Sequence, residues 1–302
     1  MARVSDEKVH LNGRLVPADE ATVSVSDAGF LHGASCFTTM LAHNGVVFRL
    51  SRHLERLLGT VGLLHLRCEA TAEALRAATY ELLDANGFAE ARVRITLTPG
   101  AVPTGRPGET SREPTSLPSP TTLITASPLP AYPREWYERG IGVVVASFRQ
   151  ARGDPTFGYK TGCYFPRVLA RQEAATKGAE EALWFTTDNR LAEACFCNVF
   201  LVRDGKVFTP PRDTPALPGI VREVVLELCR EQGIELDAET PLAVHDMLSA
   251  EEMFLTSSTA GIRPVVRVER RPVGDERPGE VTRIISGAYR ALLDRECVPG
   301  AR

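Results

Sequence analysis

Among 35 basic residues only four are lysines, at positions 8, 160, 177 and 206. Lys8 lies in a polar N-terminal run, Lys177 precedes a glycine after a helical stretch, and Lys206 follows the Asp204-Gly205 turn, so solvent is expected around all three. Lys160 alone is set among tyrosines and glycines, in Gly158-Tyr159-Lys160-Thr161-Gly162-Cys163-Tyr164. An amine that loses part of its hydration there has a lowered pKa and offers more of the neutral nucleophile that forms Schiff bases. The same seven residues also suit a surface lysine at a strand-to-helix junction, and taken alone they favour it.

Other residues point the same way, each weakly. Glu193 sits among Leu191, Ala192, Ala194 and Phe196, where an ionised carboxylate is costly unless paired, although an outward-facing glutamate on a half-exposed strand fits the alternation equally. A helix starting near Gly219 after Pro218 leaves the N–H groups of Gly219, Ile220 and Val221 free, and the aligned dipole makes an anion site there, as at any helix start. Ser257, Ser258 and Thr259 add hydroxyls in what also reads as ordinary turn chemistry. Arg56 can close the site with a charge-assisted bond, or simply be a solvated arginine on a helix face.

The elements that must position these groups are legible in outline. Asn12-Gly13 and Asn44-Gly45 each lie between apolar runs and predict tight β-hairpins. Ser51 is expected to cap a helix carrying Leu54, Leu57, Leu58, Val61 and Leu64 at helical spacing, with Arg56 off that stripe. A second helix over 72–85 ends at Asn86-Gly87, and strands are predicted at 91–98 and 121–126. Between them, six prolines from Pro99 to Pro120 exclude a helix or interior strand and make a long loop, on which Arg106 and Arg112 could reach an anionic substrate. Pro128, Pro130 and Pro133 mark a stiff linker, which divides the chain into 1–127, a linker at 128–134, and 135–302. The second part is predicted to hold strands at 141–148, 182–187, around 191–194 and 198–202, and near 252–256 and 263–268. Helices are expected after Lys160 to about 176, from Gly219 to Gly233, and over 278–295. The strand succession reads as a meander rather than a βαβ repeat.

At 302 residues, with 43% hydrophobic and 24% charged residues, the composition is that of a soluble globular protein of two modest domains. A net charge of -3 without a dense basic run argues against nucleic acid, and no apolar stretch approaches a membrane span or a signal-peptide core. The seven cysteines are scattered, and Cys195-Phe196-Cys197 lacks a second pair at zinc-ligand spacing. They read as reduced, mostly buried thiols in a cytoplasmic protein, with no metal site.

In order and spacing the chain resembles the class IV aminotransferases, the fold-type IV pyridoxal-phosphate enzymes. The resemblance runs through Val23-Ser24-Val25-Ser26-Asp27 to His32-Gly33, His53-Leu54-Glu55-Arg56-Leu57, Lys160 with Tyr164, and Glu193 with Asn198-Val199-Phe200. It continues through Thr209-Pro210, Leu217-Pro218-Gly219-Ile220-Val221-Arg222, and Glu252-Met253-Phe254 into Pro264-Val265. It implies a mixed α/β (α+β) fold of two domains, a smaller N-terminal α/β domain and a larger β-rich cofactor domain with flanking helices. It also implies a homodimer.

By that resemblance Lys160 would hold pyridoxal 5'-phosphate as an internal aldimine and then carry the proton between substrate and cofactor carbons. Glu193 would keep the pyridine nitrogen protonated, and Tyr164 would bond the ring's phenolic oxygen. Arg56, Gly219, Ile220, Val221 and Ser258 would hold the phosphate with Ser257 nearby, and Phe37, Thr259 and Ala260 would border the substrate. Val221 stands where many relatives have threonine, which keeps a backbone donor, loses a hydroxyl, and predicts a weaker hold on phosphate. The implied reaction is transamination between an amino acid or primary amine and a 2-oxo acid. The alternative is 4-amino-4-deoxychorismate lyase, which Cys36-Phe37-Thr38-Thr39 resembles; the four-residue step from Lys160 to Tyr164 is likewise closer to the D-amino-acid aminotransferase, (R)-amine and lyase branch than to the branched-chain one, whereas Thr256-Ser257-Ser258-Thr259 is closer to the transaminases.

Overall fold

Alternation of apolar and polar residues along 91–98 forces one face of that strand inward, and the N-terminal sheet is built around it. A computed structural model of the chain describes residues 7–101, 119–300 and 302; Arg106 and Arg112 lie outside them. The chain folds into two compact units that divide between Leu129 and Pro130. Two later segments, Lys160–Cys163 and Cys297–Arg302, belong to the N-terminal unit.

The N-terminal unit contains β1 (Lys8–Leu11), β2 (Arg14–Pro17), α1 (Ala28–His32), β3 (Cys36–His43), β4 (Val46–Val47), α2 (Leu50–Leu63), α3 (Ala72–Asn86), β5 (Ala91–Thr98) and β6 (Thr121–Pro128). The strands make one sheet in the order β2-β1-β6-β5-β3-β4. Asn12-Gly13 and Asn44-Gly45 turn the two hairpins, all four residues at positive φ. Met40, Ala42, Val93, Ile95, Leu97, Ile124 and Ala126 face Leu54, Leu57 and Val61 of α2 and Leu75, Leu82 and Leu83 of α3. Full burial of each large aliphatic side chain contributes roughly 1.5–3 kcal/mol. The alternation leaves Phe37, Thr39, Arg92, Arg94 and Thr96 on the opposite face.

The start of α2 differs from the expectation. Its N-cap is Arg49, in the left-handed region with no side-chain cap, and Ser51 lies inside the helix accepting a bond from Arg76. The tight turn that follows β4 sets the chain direction here and overrides local capping preference. Thr71 does cap α3, accepting from the Ala74 N–H, and Gly87 ends it in the left-handed conformation.

The second unit contains α4 (Glu135–Glu138), β7 (Ile141–Val145), α5 (Phe165–Thr176), β8 (Glu181–Phe185), β9 (Leu191–Ala194), β10 (Asn198–Arg203), β11 (Lys206–Phe208), α6 (Ile220–Glu231), β12 (Leu236–Asp237), α7 (Val244–Leu248), β13 (Glu252–Ser257), β14 (Gly261–Val268), β15 (Arg271–Pro272) and α8 (Glu280–Glu296). Its sheet runs β12-β11-β10-β13-β14-β7-β8-β9, with β15 on β14. The expected meander holds only for some neighbours. β7 is parallel to both β14 and β8, and α5 is the crossover between β7 and β8, so a βαβ unit lies toward the β9 end of this sheet. Parallel pairing needs such a long connection, and strands buried on both faces have no polar alternation to reveal it.

Candidate active site

In the N-terminal unit Lys160 is held by its backbone. Its carbonyl accepts the Phe37 N–H at 2.9 Å, the Gly162 N–H donates to the Ser35 carbonyl at 2.8 Å, and Thr161 bridges Cys36 antiparallel. The segment thus lies against the start of β3. Gly162 permits that approach, since a Cβ there would fall 2.6 Å from the Gly33 carbonyl oxygen. The Lys160 Nζ lies 5.0 Å from the Phe37 ring centroid, and the Arg94 guanidinium lies 3.6 Å from the same centroid. Two cations on one aromatic ring create a positive patch suited to an anion.

Behind that face Thr38 is fully buried, 2.8 Å from Nδ1 of His53, and Arg56 Nη2 donates to Thr38 Oγ1 at 3.3 Å. Thr38 Oγ1 thus links the Arg56 guanidinium to the His53 ring. Burial, reinforced by the charges of Arg56 and Lys160, pushes the His53 pKa well below the usual histidine value, so the ring stays neutral. Thr38 and His53 thus hold Arg56 from behind without adding charge.

In the second unit β8 and β9 pair so that Glu193 lies beside Trp184, on the face covered by α5. Ala170 and Ala174 of α5 pack on Ala182 and Trp184, and these small side chains bring the helix close. One turn earlier, Arg167 reaches the sheet: its Nη2 donates to Glu193 Oε1 at 2.5 Å and its Nη1 to the Cys195 carbonyl at 2.9 Å. Glu193 is 2% exposed and Arg167 6% exposed, so the carboxylate is buried and paired. Its other oxygen, Oε2, accepts the Leu217 N–H at 3.0 Å. Tyr164 stands at the N-cap of α5, stacked on Phe196 with centroids 5.8 Å apart.

From Leu217 the network continues to an anion cradle. The Leu217 carbonyl accepts from Asn198 Nδ2 at 2.7 Å, and Asn198 Oδ1 would lie 2.0 Å from a Cβ on Gly219. Gly219 is the N-cap of α6 and supplies no side-chain cap, so the first N–H groups of the helix, at Ile220 and Val221, have no capping side chain. Asn198 pairs across the sheet with Thr256, whose buried Oγ1 has no hydrogen-bond partner among the described residues, and Ser257 follows. Ser257 Oγ accepts the Ala260 N–H at 3.3 Å, Tyr132 OH lies 2.8 Å from Thr259 Oγ1, and Tyr137 OH donates to the Ala260 carbonyl at 2.9 Å. Ala260 is itself buried. Gly219→Ala is expected to displace Asn198 and weaken phosphate-ligand affinity by about tenfold, the loss of roughly one hydrogen bond. Fluorescence titration of the cofactor-free protein checks this.

The family model described as Amino-transferase class IV matches residues 35–268. The chain belongs to the class IV aminotransferase family. The aminotransferase is 32% identical over 286 residues to the putative branched-chain-amino-acid aminotransferase of Methanocaldococcus jannaschii, covering 94% of this chain and 96% of that protein. It matches the solved branched-chain amino acid aminotransferase of Escherichia coli with a TM-score of 0.88 and 29% identity, covering 98% of this chain and 97% of that one. It also matches the 4-amino-4-deoxychorismate lyase of Pseudomonas aeruginosa with a TM-score of 0.79 and 29% identity, covering 95% and 99%. The fold is accordingly that of the fold-type IV enzymes.

Class IV aminotransferases use pyridoxal 5'-phosphate, and the residues of this aminotransferase fit it. A buried carboxylate with spare lone pairs suits the ring nitrogen, while the uncapped start of α6, the unpartnered Thr256 hydroxyl and the nearby serines suit a phosphate. The structure brings Lys160, Phe37 and Arg56 into the N-terminal unit. It gathers Tyr164, Glu193, Gly219, Ile220, Val221, Ser257, Ser258, Thr259 and Ala260 into the second. Sequence reasoning missed Arg94 and Arg167, and named Asn198 only within the Asn198-Val199-Phe200 run, without a role. Alternation along 91–98 had already placed Arg94 on the polar face, whereas Arg167 carries no sequence signal.

Proposed function

We propose that this transaminase moves an amino group between an apolar amino acid and a 2-oxo acid, with Lys160 as the reacting amine. The observation that carries the reading is the placement of Lys160 Nζ and the Arg94 guanidinium on the single ring of Phe37. Bound pyridoxal phosphate supplies a ring that accepts the electron pair released when the substrate Cα–H bond breaks. In this reading Lys160 Nζ takes that proton and later returns it, while Arg94 binds the carboxylate of the 2-oxo acid. Glu193 pairs with the ring nitrogen and keeps it protonated, and Tyr164 orients the ring through its hydroxyl. Arg56, the N–H groups of Ile220 and Val221, and the hydroxyls of Ser257 and Ser258 bind the phosphate. Phe37, Thr259 and Ala260 border the substrate. The branched-chain aminotransferases among its relatives support leucine, isoleucine and valine as first donors to test.

The competing reading is elimination of pyruvate from 4-amino-4-deoxychorismate, supported by the likeness to the Pseudomonas lyase and by Cys36-Phe37-Thr38-Thr39. Two of those four residues, Cys36 and Thr38, are fully buried on the helix side of β3, where they contribute to packing and to Arg56 rather than to substrate choice. Purified enzyme is to be assayed with amino donors and 2-oxoglutarate or pyruvate. Absence of amino transfer together with release of 4-aminobenzoate from aminodeoxychorismate would decide for the lyase. For the transaminase, Arg94→Ala is expected to raise the KM of the 2-oxo acid about 10- to 100-fold, as loss of a charge-assisted bond worth roughly 1.5–3 kcal/mol requires. An unchanged KM would place the carboxylate elsewhere.

The same reading includes a cytoplasmic homodimer. No helix among the described residues is long and apolar enough to cross a membrane. Phe30 and Phe165, 73% and 70% exposed in the single chain, are the kind of surface that a second copy covers. Light scattering of the purified protein reads the assembly.

A further inference from the structure

We propose that Arg167 is a positioning residue that keeps the Glu193 carboxylate ionised, so that the proton shared by Glu193 and the cofactor's ring nitrogen stays on the nitrogen. The inference rests on the assignment of Glu193 to that nitrogen.

Arg167 is fixed more tightly than an incidental buried arginine needs to be. Its guanidinium donates to Glu193 Oε1, to the Cys195 carbonyl at 2.9 Å and to the Ala194 carbonyl at 3.4 Å. It lies 5.2 Å from the Tyr164 ring centroid and 5.7 Å from that of Trp184. Burial acts to lower its pKa, but the Glu193 charge, Tyr164 and the hydrogen bond to Glu193 together raise it above the usual arginine value. The positive charge is therefore permanent. With Leu217 N–H on Oε2 and Arg167 on Oε1, each carboxylate oxygen retains a lone pair for a further donor.

A carboxylate and a pyridine sharing one proton have two arrangements, an ion pair or a neutral acid hydrogen-bonded to a neutral ring. In a dry interior the neutral arrangement gains, because separated charges have lost their hydration. A fixed cation reverses that preference. Arg167 is at hydrogen-bond distance from the carboxylate, and a ring nitrogen bonded to the remaining lone pairs is necessarily farther from it. Coulomb attraction to the carboxylate thus exceeds repulsion from the pyridinium, and the ion pair is favoured. Only the protonated ring withdraws electrons strongly, so Arg167 acts on the chemistry through Glu193 without touching substrate.

The test uses holoenzyme reconstituted with pyridoxal phosphate labelled with nitrogen-15 in the ring, and reads the nitrogen chemical shift at neutral pH. Wild type is expected at the pyridinium end of the range. Arg167→Gln, which keeps an N–H donor and removes the charge, is expected to move well toward neutral pyridine, and Arg167→Lys, which keeps the charge, to stay near wild type. Should the glutamine variant fail to fold, Arg167→Met, which retains the stem packed on Tyr164 and Trp184, is read in the same way. A Glu193→Gln holoenzyme separates the two layers of the argument. If Glu193→Gln shifts the resonance and the uncharged Arg167 variant does not, the role of Arg167 is overturned and that of Glu193 stands. If Glu193→Gln leaves the resonance in place, the Glu193 assignment itself fails. If the lysine and glutamine variants shift equally, Arg167 is a packing residue and its charge is irrelevant.

Discussion

Lys160→Ala is expected to abolish transamination, lowering turnover by at least about 10³-fold, and to remove the visible absorbance of cofactor bound through the lysine. Positioned general acid–base groups contribute roughly 10²–10⁴-fold in rate, and Lys160 is assigned both that role and the covalent attachment of the cofactor. The fold should tolerate the change. The segment is held by backbone contacts, from the Phe37 N–H to the Lys160 carbonyl and from the Gly162 N–H to the Ser35 carbonyl, and none of these requires the side chain. Loss of activity with an unchanged thermal midpoint is therefore the expected pair of results. An alanine variant that kept both its absorbance and its activity would show that the reacting amine lies elsewhere, and the remaining lysines, at 8, 177 and 206, would then have to be tested.

Glu193→Ala is expected to fail in a different way, through stability as well as activity. Removing one partner from a buried ion pair leaves the other uncompensated, a cost of about 3–5 kcal/mol. Arg167, 6% exposed, is held in the interior by its bonds to the Ala194 and Cys195 carbonyls. For a chain of this size such a loss lowers the thermal midpoint by on the order of 10 °C. Glu193→Gln, which retains an acceptor for Arg167 and for the Leu217 N–H, is expected to recover much of that stability while remaining catalytically poor. Melting curves of the cofactor-free variants, compared with turnover of the loaded ones, separate the two contributions. Equal stability of the alanine variant and wild type would mean that Arg167 relaxes to another partner.

Part of this protein was decided locally and was therefore legible before any fold. Asn12-Gly13 and Asn44-Gly45 turn hairpins because positive φ is a property of those residues, and Thr71 and Gly87 bound α3 for the same kind of reason. The rarity of lysine, with tyrosines and glycines around Lys160, drew attention to that amine, but only the resemblance along the whole chain proposed it as the reacting group. The period of the apolar residues along 91–98 assigned the inward face of β5 and left Arg94 on the other. Where residue preference alone failed, chain geometry decided: the N-cap of α2 is Arg49, in the left-handed region at the turn that follows β4, so Ser51 lies inside the helix and does not cap it. The βαβ unit of the second sheet went unseen because doubly buried strands carry no alternation.

The state of Glu193 belongs wholly to the tertiary structure. Its neighbours in sequence indicated only that an ionised carboxylate there would need a partner. That partner, Arg167, is 26 positions away on a helix, and it meets the strand because two alanines let α5 pack closely on the sheet. Gly162 is similar, a glycine whose necessity shows only when the Gly33 carbonyl is seen against it. Residue type and spacing determine which chemistry a chain can attempt. Which charges lose their water, and which opposite charge compensates them, depends on burial and on contacts between segments far apart in sequence, and these arise only on folding.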